Sequence, residues 1–251
     1  SAIASARDPC HRSEVHCGGR MRTAVFDLDG TLADTAADLI AAANAACALE
    51  GLPPLDPAAE RAVAGHGGRA MIRRAMALAG RPEDAGLVER LVPPFLAAYE
   101  ARIAEETRLF PGAEAALDAL AAAGWRLALC TNKPERLALL LLDALGARDR
   151  FGGIVGADTL PVRKPDPRPF SESVRRAGGH PGAAVMIGDT DTDRDTARNA
   201  GAPCVLMAYG YSGGAPERLA PYAVAPSLAA LPAILDRALP LPLDASSPAA
   251  L

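Results

Sequence analysis

The chain has 251 residues, half of them apolar, which is enough for one large domain or a domain with a smaller insert. Its formal charge of −4 and the lack of any run of like charge speak against a nucleic-acid surface. Charge, Gly or Pro interrupts every apolar stretch well short of the roughly 18 residues that a membrane span needs, and residues 1–20 hold no apolar core of a secretory signal.

Residues 1–20 are polar and without pattern, so they are expected to form a disordered leader, with Met21 directly before the first strand-like run. Cys10-His11 and His16-Cys17 lie in this leader, but zinc sites use spaced Cys and His pairs, so no zinc site is expected. The five cysteines are odd in number and loosely spaced, which fits free thiols in a reducing cytoplasm. Thr23–Phe26 reads as a short buried strand. Residues 35–50 and 56–104 read as Ala- and Leu-rich helices, punctuated by Pro53-Pro54, Gly65-His66-Gly67-Gly68, Gly80-Arg81-Pro82 and Pro93-Pro94.

After Pro111-Gly112 the texture alternates. Helices are predicted over 113–123, 135–145, 167–177 and 192–200. Each leads to a strand, in turn Trp125–Cys130, Gly153–Gly156, Ala183–Ile187 and Cys204–Met207. Such alternation implies a parallel sheet covered on both faces. A last helix is expected over 227–237. The expected architecture is therefore an α/β core from 21–34 and 105–237, interrupted by an all-helical insert over 35–104, with a loose tail over 238–251.

In such sheets ligands bind beyond the carboxyl ends of the strands. Those ends carry Asp27-Leu28-Asp29-Gly30-Thr31, Thr131-Asn132-Lys133, Lys164-Pro165-Asp166 and Gly188-Asp189-Thr190-Asp191-Thr192-Asp193. Several carboxylates at one rim repel one another unless a hard cation such as Mg2+ joins them. Of two carboxylates spaced i, i+2, one can attack while the other handles a proton. Lys164 would offset negative charge, and Thr131 with the backbone N–H of Asn132 could bind phosphate oxygens. Of 26 basic residues only Lys133 and Lys164 are lysines, so a lysine at either place stands out, although no role for Lys133 follows.

Blander readings exist. Asp27-Leu28-Asp29-Gly30 alone could be a turn, Thr131 could cap the next helix, Lys164 could be a solvated loop lysine, and Asp191 could be a cap or a solvated residue. A calcium loop at 189–200 fails, because Arg194 and Ala200 stand where Gly and Glu are required. His180 reads as a surface residue and Cys130 as core.

The four segments together, in this order, resemble the haloacid dehalogenase-like superfamily over roughly residues 21–237. The resemblance implies a Rossmann-like core with an inserted helical cap, and specifically the phosphoglycolate phosphatase-like branch. It implies that Asp27 is a nucleophile forming an aspartyl-phosphate and that Asp29 is the general acid and base. It further implies that Asp27, the backbone carbonyl of Asp29, and Asp189 hold Mg2+, with Asp193 behind them, and that Thr131 and Lys164 hold the phosphate. His66 or Arg69, in the glycine-rich cap loop, could meet a substrate carboxylate, or the loop could be a plain turn. The implied substrate is a small phosphate ester, 2-phosphoglycolate first; sugar phosphates, nucleotides or pyrophosphate are alternatives. A phosphomutase or phosphonatase would need a cap lysine, and residues 35–104 have none. A dehalogenase would lack Asp29, and a silent binding protein would lack a reactive group. Neither nucleic acid nor membrane is expected as a partner, and the oligomeric state is not legible.

Overall fold

The computed structural model describes residues 21–211 and 214–240. The expected leader, with its Cys and His pairs, and most of the expected tail lie outside these residues.

Six parallel strands form the main sheet: β1 (Thr23–Phe26), β4 (Arg126–Cys130), β5 (Gly153–Val155), β6 (Ala184–Gly188), β7 (Cys204–Met207) and β8 (Ala223–Ala225). Their order is β5-β4-β1-β6-β7-β8. The chain therefore winds outward in one direction from β1 and in the other from β6, and the crevice between β1 and β6 is the switch point. Alternate residues of each strand serve opposite faces. Phe26, Leu129, Ile187 and Met207 pack with Leu117 and Leu120 of α5 (Ala113–Ala122), Leu141 of α6 (Glu135–Ala144) and Leu231 and Leu235 of α9 (Leu231–Ala238). Val25, Cys130, Met186 and Leu206 pack with Phe170 and Val174 of α7 (Pro167–Arg176) and Ala197 of α8 (Asp191–Ala200). Burial on both faces explains why the central strands read as unbroken apolar runs.

Between β1 and α5 lie four helices: α1 (Ala36–Ala48), α2 (Arg61–Ala64), α3 (Gly68–Leu78) and α4 (Ala85–Ala101). They have an apolar cluster of their own, with Ile40, Met71, Ile72, Leu91 and Tyr99 fully or nearly buried. Helix α4 continues through Pro93-Pro94, where the sequence predicts a break. Leu87, Leu91, Phe95 and Tyr99 repeat every four residues and are buried, and Asp84 caps the first turn by accepting from Leu87 N at 3.0 Å. Packing of that stripe outweighs the two missing amide donors.

A two-stranded antiparallel ribbon closes the base of this unit, pairing β2 (Ala33–Asp34) with β3 (Arg108–Leu109). Two residues per strand carry no period, so the ribbon was invisible in the sequence, as was β8 at the sheet edge. Next to the ribbon the fully buried Asp38 of α1 accepts from Glu106 N at 3.0 Å, Thr107 N at 2.9 Å and Thr107 Oγ1 at 2.8 Å. Among the described residues no helix is long and apolar enough to cross a membrane.

Candidate active site

Strand β1 delivers Asp27 to the switch point. Its backbone N–H continues the sheet, donating to Ile187 O at 2.8 Å, and its Oδ1 accepts from Leu28 N at 2.7 Å. The loop between β5 and α7 brings Lys164, whose ammonium is 3.1 Å from Asp27 Oδ1 and 2.6 Å from Asp193 Oδ1. Asp189 directly follows strand β6, is fully buried and accepts from Thr31 Oγ1 at 2.9 Å and Tyr211 N at 2.7 Å. Asp193 is both a site residue and a helix signal. Its Oδ2 accepts from Asp189 N at 3.2 Å, Thr190 N at 3.1 Å and Thr190 Oγ1 at 2.8 Å, closing a capping box at the start of α8. Thr190 is the cap, and Asp191 is exposed, as its solvated reading has it.

Two glycines make this packing possible. A Cβ on Gly188 would lie 2.2 Å from Asp193 Cγ. Gly30 has φ +79°, and a Cβ there would meet Asp189 Oδ2 at 2.5 Å and the Tyr211 ring at 2.8 Å.

One oxygen from each of Asp27, Asp189 and Asp193 lies within 4.8 Å of the others. Burial pushes the Asp27 carboxyl up to about 6; Asp193 and Asp29 add to this, while Lys164 and the Leu28 amide pull against it. Burial, then Asp193 and Asp27, hold Asp189 well above the usual carboxylate range. Burial alone would lower Lys164, but Asp193 and Asp27 outweigh it and hold the ammonium well above its ordinary value. Asp193 already has Lys164 on one oxygen and the α8 N-terminus on the other. Asp27 and Asp189 are left as hard oxygen donors whose charge is under-compensated, and a divalent cation fits such a pair.

The carboxylate of Asp29 stands apart from this trio. It is held by Lys133, whose Nζ is 2.9 Å from Oδ1 and 3.0 Å from Oδ2. Only a backbone carbonyl of Asp29 could therefore join a metal here, as the family resemblance implies. Thr131 is buried, and its Oγ1 accepts from Lys133 N at 3.2 Å in a local turn; it does not cap α6, whose N-cap is Pro134, and the hydroxyl proton stays available to donate. Asn132 is exposed and its Nδ2 donates to Lys164 O at 3.1 Å, tying two strand-end loops together.

The glycine-rich loop splits. His66 is exposed and lines a cleft of about 290 Å³ with Thr190, Asp191, Pro216 and Arg218. Arg69 does not join it: the side chain is exposed and its fork is held by Glu89 of α4, with Nε 2.7 Å from Oε1 and Nη2 2.8 Å from Oε2. His180 is exposed and Cys130 fully buried, as expected.

Sequence reasoning missed two residues. Lys133 gave one signal, its rarity as a lysine. Tyr211 gave none. It follows β7, yet its ring lies in the apolar cluster of the helical unit. Its hydroxyl accepts from Thr35 N at 2.7 Å and Ala36 N at 3.0 Å and donates to Asp34 Oδ1 at 2.9 Å, and the Arg61 guanidinium lies 4.9 Å from its ring centroid.

The pattern of the haloacid dehalogenase-like hydrolases matches residues 21–201. The chain belongs to that family. Among its relatives, the phosphoglycolate phosphatase of Caulobacter vibrioides is 46% identical over 190 residues, covering 76% of this chain and 80% of that one. The phosphoglycolate phosphatase of Agrobacterium fabrum is 40% identical over 215 residues, covering 85% and 92%. The crystal structure of a predicted phosphoglycolate phosphatase from Haemophilus somnus 129pt superposes with a TM-score of 0.77 at 28% identity, covering 85% of this chain and 97% of that one. CbbY from Rhodobacter sphaeroides, solved in complex with phosphate, gives a TM-score of 0.70 at 26% identity, covering 86% and 99%. This haloacid dehalogenase-like hydrolase is a phosphoric monoester hydrolase with a Rossmann-like α/β core.

Proposed function

We propose that the chain hydrolyses a small phosphate monoester, 2-phosphoglycolate first, through a phosphoryl group carried transiently on Asp27. The observation that carries this reading is the shared buried rim: Lys164 joins Asp27 to Asp193, with Asp189 alongside. The phosphoglycolate phosphatases at 46% and 40% identity supply the substrate class.

Asp27 and Asp189, with the backbone carbonyl of Asp29, would hold Mg2+. When bound, the ion offsets charge on the nucleophile and on a phosphoryl oxygen, so that the anions approach without repulsion. An oxygen of Asp27 attacks phosphorus in line with the ester oxygen, the P–O bond to the alcohol breaks, and Asp29 gives its proton to the departing oxygen. In the second half Asp29 takes a proton from water, the water oxygen displaces Asp27 from phosphorus, and inorganic phosphate leaves. Lys164, the Thr131 hydroxyl and the backbone N–H of Asn132 offset charge on the phosphoryl oxygens. In this reading the four-helix unit acts as a cap on the rim, and His66, which shares a cleft with Thr190 and Asp191, is the cap residue assigned to the rest of the substrate.

The test is phosphate release from a panel of monoesters that includes 2-phosphoglycolate, ranked by kcat/KM with Mg2+ present. Asp27→Asn should abolish turnover; full turnover in that variant would remove Asp27 as the nucleophile. A sugar phosphate or nucleotide outranking 2-phosphoglycolate would refute the substrate but leave the chemistry standing.

A further inference from the structure

Asp29 follows the last strand residue by three positions, where the sheet no longer fixes side-chain direction. Its carboxylate, 19% exposed, nevertheless has one defined seat: Lys133 Nζ contacts both oxygens, at 2.9 and 3.0 Å. A cation bonded to both oxygens fixes the carboxylate plane as well as its position. Lys133 is itself fixed. Its side chain is 4% exposed, its backbone N–H is tied to Thr131 Oγ1, and its ammonium lies 4.3 Å from the centroid of the Tyr99 ring. Tyr99 belongs to α4 of the helical unit, is buried, and is stacked on Phe95 of the same helix with centroids 6.4 Å apart. Three elements thus meet on one ammonium: the loop after β1, the loop after β4 and the cap helix α4.

We infer that Lys133 is a positioning residue that aims the Asp29 carboxylate at the leaving-group oxygen, and that Tyr99 seats Lys133 so that this aim depends on α4 being in place. The inference rests on the proposed role of Asp29 as proton donor. A compact ammonium suits this seat. A planar guanidinium would have to fit its broad fork between the Tyr99 face and the carboxylate.

The consequence is a dependence on leaving group. An aliphatic alcohol departs as a strongly basic oxygen and needs the proton; p-nitrophenolate is a weak base and departs without it. A defect in aim therefore slows aliphatic esters selectively, whereas a general loss of folding or of phosphate binding slows all esters alike. The experiment compares kcat/KM for 2-phosphoglycolate, ethyl phosphate and p-nitrophenyl phosphate in the wild type, Lys133→Met and Lys133→Gln. Gln keeps a similar length and a donor, and guards against a folding failure of Met. The expected loss is about 10²-fold or more on both aliphatic esters and under about 10-fold on p-nitrophenyl phosphate. Tyr99→Leu should give the same split in smaller measure, while Tyr99→Phe, which keeps the ring, stays near wild type. Equal losses on all three esters, or no loss, would overturn the inference and leave the phosphatase reading intact. A loss confined to 2-phosphoglycolate would overturn it too, because Lys133 would then be touching the substrate carboxylate. A wild type inert toward all three would sink the phosphatase reading itself, and this inference with it.

Discussion

Replacing Tyr211 by Phe removes one oxygen and little volume, yet that oxygen uses all its hydrogen-bonding capacity. It donates once, to Asp34, and accepts twice, from the N–H groups of Thr35 and Ala36. Thr35 and Ala36 open α1, so these N–H groups have no acceptor within the helix, and both residues are 1% exposed or less. The tyrosine of a distant loop thus does what an N-cap side chain ordinarily does. Each buried N–H left bare costs about 1–3 kcal/mol. The bond to Asp34, a half-exposed carboxylate that keeps its ion pair with Arg61 at 2.8 Å, adds little. Tyr211→Phe should therefore cost about 2–4 kcal/mol, read as a lower midpoint in urea at unchanged slope, and lower Tm by about 5–15 °C. Because the backbone N–H of residue 211 still reaches Asp189, the variant should lose stability before it loses Mg2+ affinity. A loss under about 0.5 kcal/mol would refute the capping argument, since the two N–H groups would then have found other partners.

Three further outcomes follow from the site. The carboxyl of Asp27, raised to about 6, binds a proton more tightly in the folded chain than in the unfolded one. This group therefore lowers metal-free stability as pH rises from about 4 to 6, whereas Mg2+ affinity rises over the same span; melts in chelator and in Mg2+ should slope in opposite directions, and parallel slopes would contradict this. Gly30→Ala places a Cβ 2.5 Å from Asp189 Oδ2 at φ +79°, so Mg2+ titration and phosphate release should both weaken at least about 10-fold, and wild-type values would show that the loop yields. Arg69→Ala removes an exposed ion pair with Glu89 and should change stability by no more than about 1 kcal/mol, with kcat/KM for 2-phosphoglycolate within about 2-fold; a larger kinetic effect would return Arg69 to the substrate.

The parts legible in the sequence were those where one physical demand governs a run of residues. Burial on both faces made the central strands apolar, and the need to place charge at their ends put Asp27, Asp189, Lys164 and Asp193 at recognisable positions. What escaped depends on partners far away in the chain. Nothing near residue 133 announces that its ammonium meets Asp29 and Tyr99, and nothing near residue 211 announces the start of α1. Pro93-Pro94 misled because local propensity favours a break, while a buried stripe on both sides enforces continuity. Arg69 attracted attention by its glycine-rich neighbours, but a carboxylate on the adjacent helix captures it.

The seam at Asp38 constrains how this chain could be recombined with its relatives. A graft that brought in foreign helices but kept the native segment at 106–107 would replace Asp38 and strand the donors that now converge on it; the converse graft would take the Thr107 hydroxyl from a buried carboxylate and leave it the backbone N–H groups alone from that segment. Crossover points placed outside the ribbon, before Ala33 and after Leu109, carry both halves of the seam together. The four-helix unit would then move as a cassette, with its own stitching included.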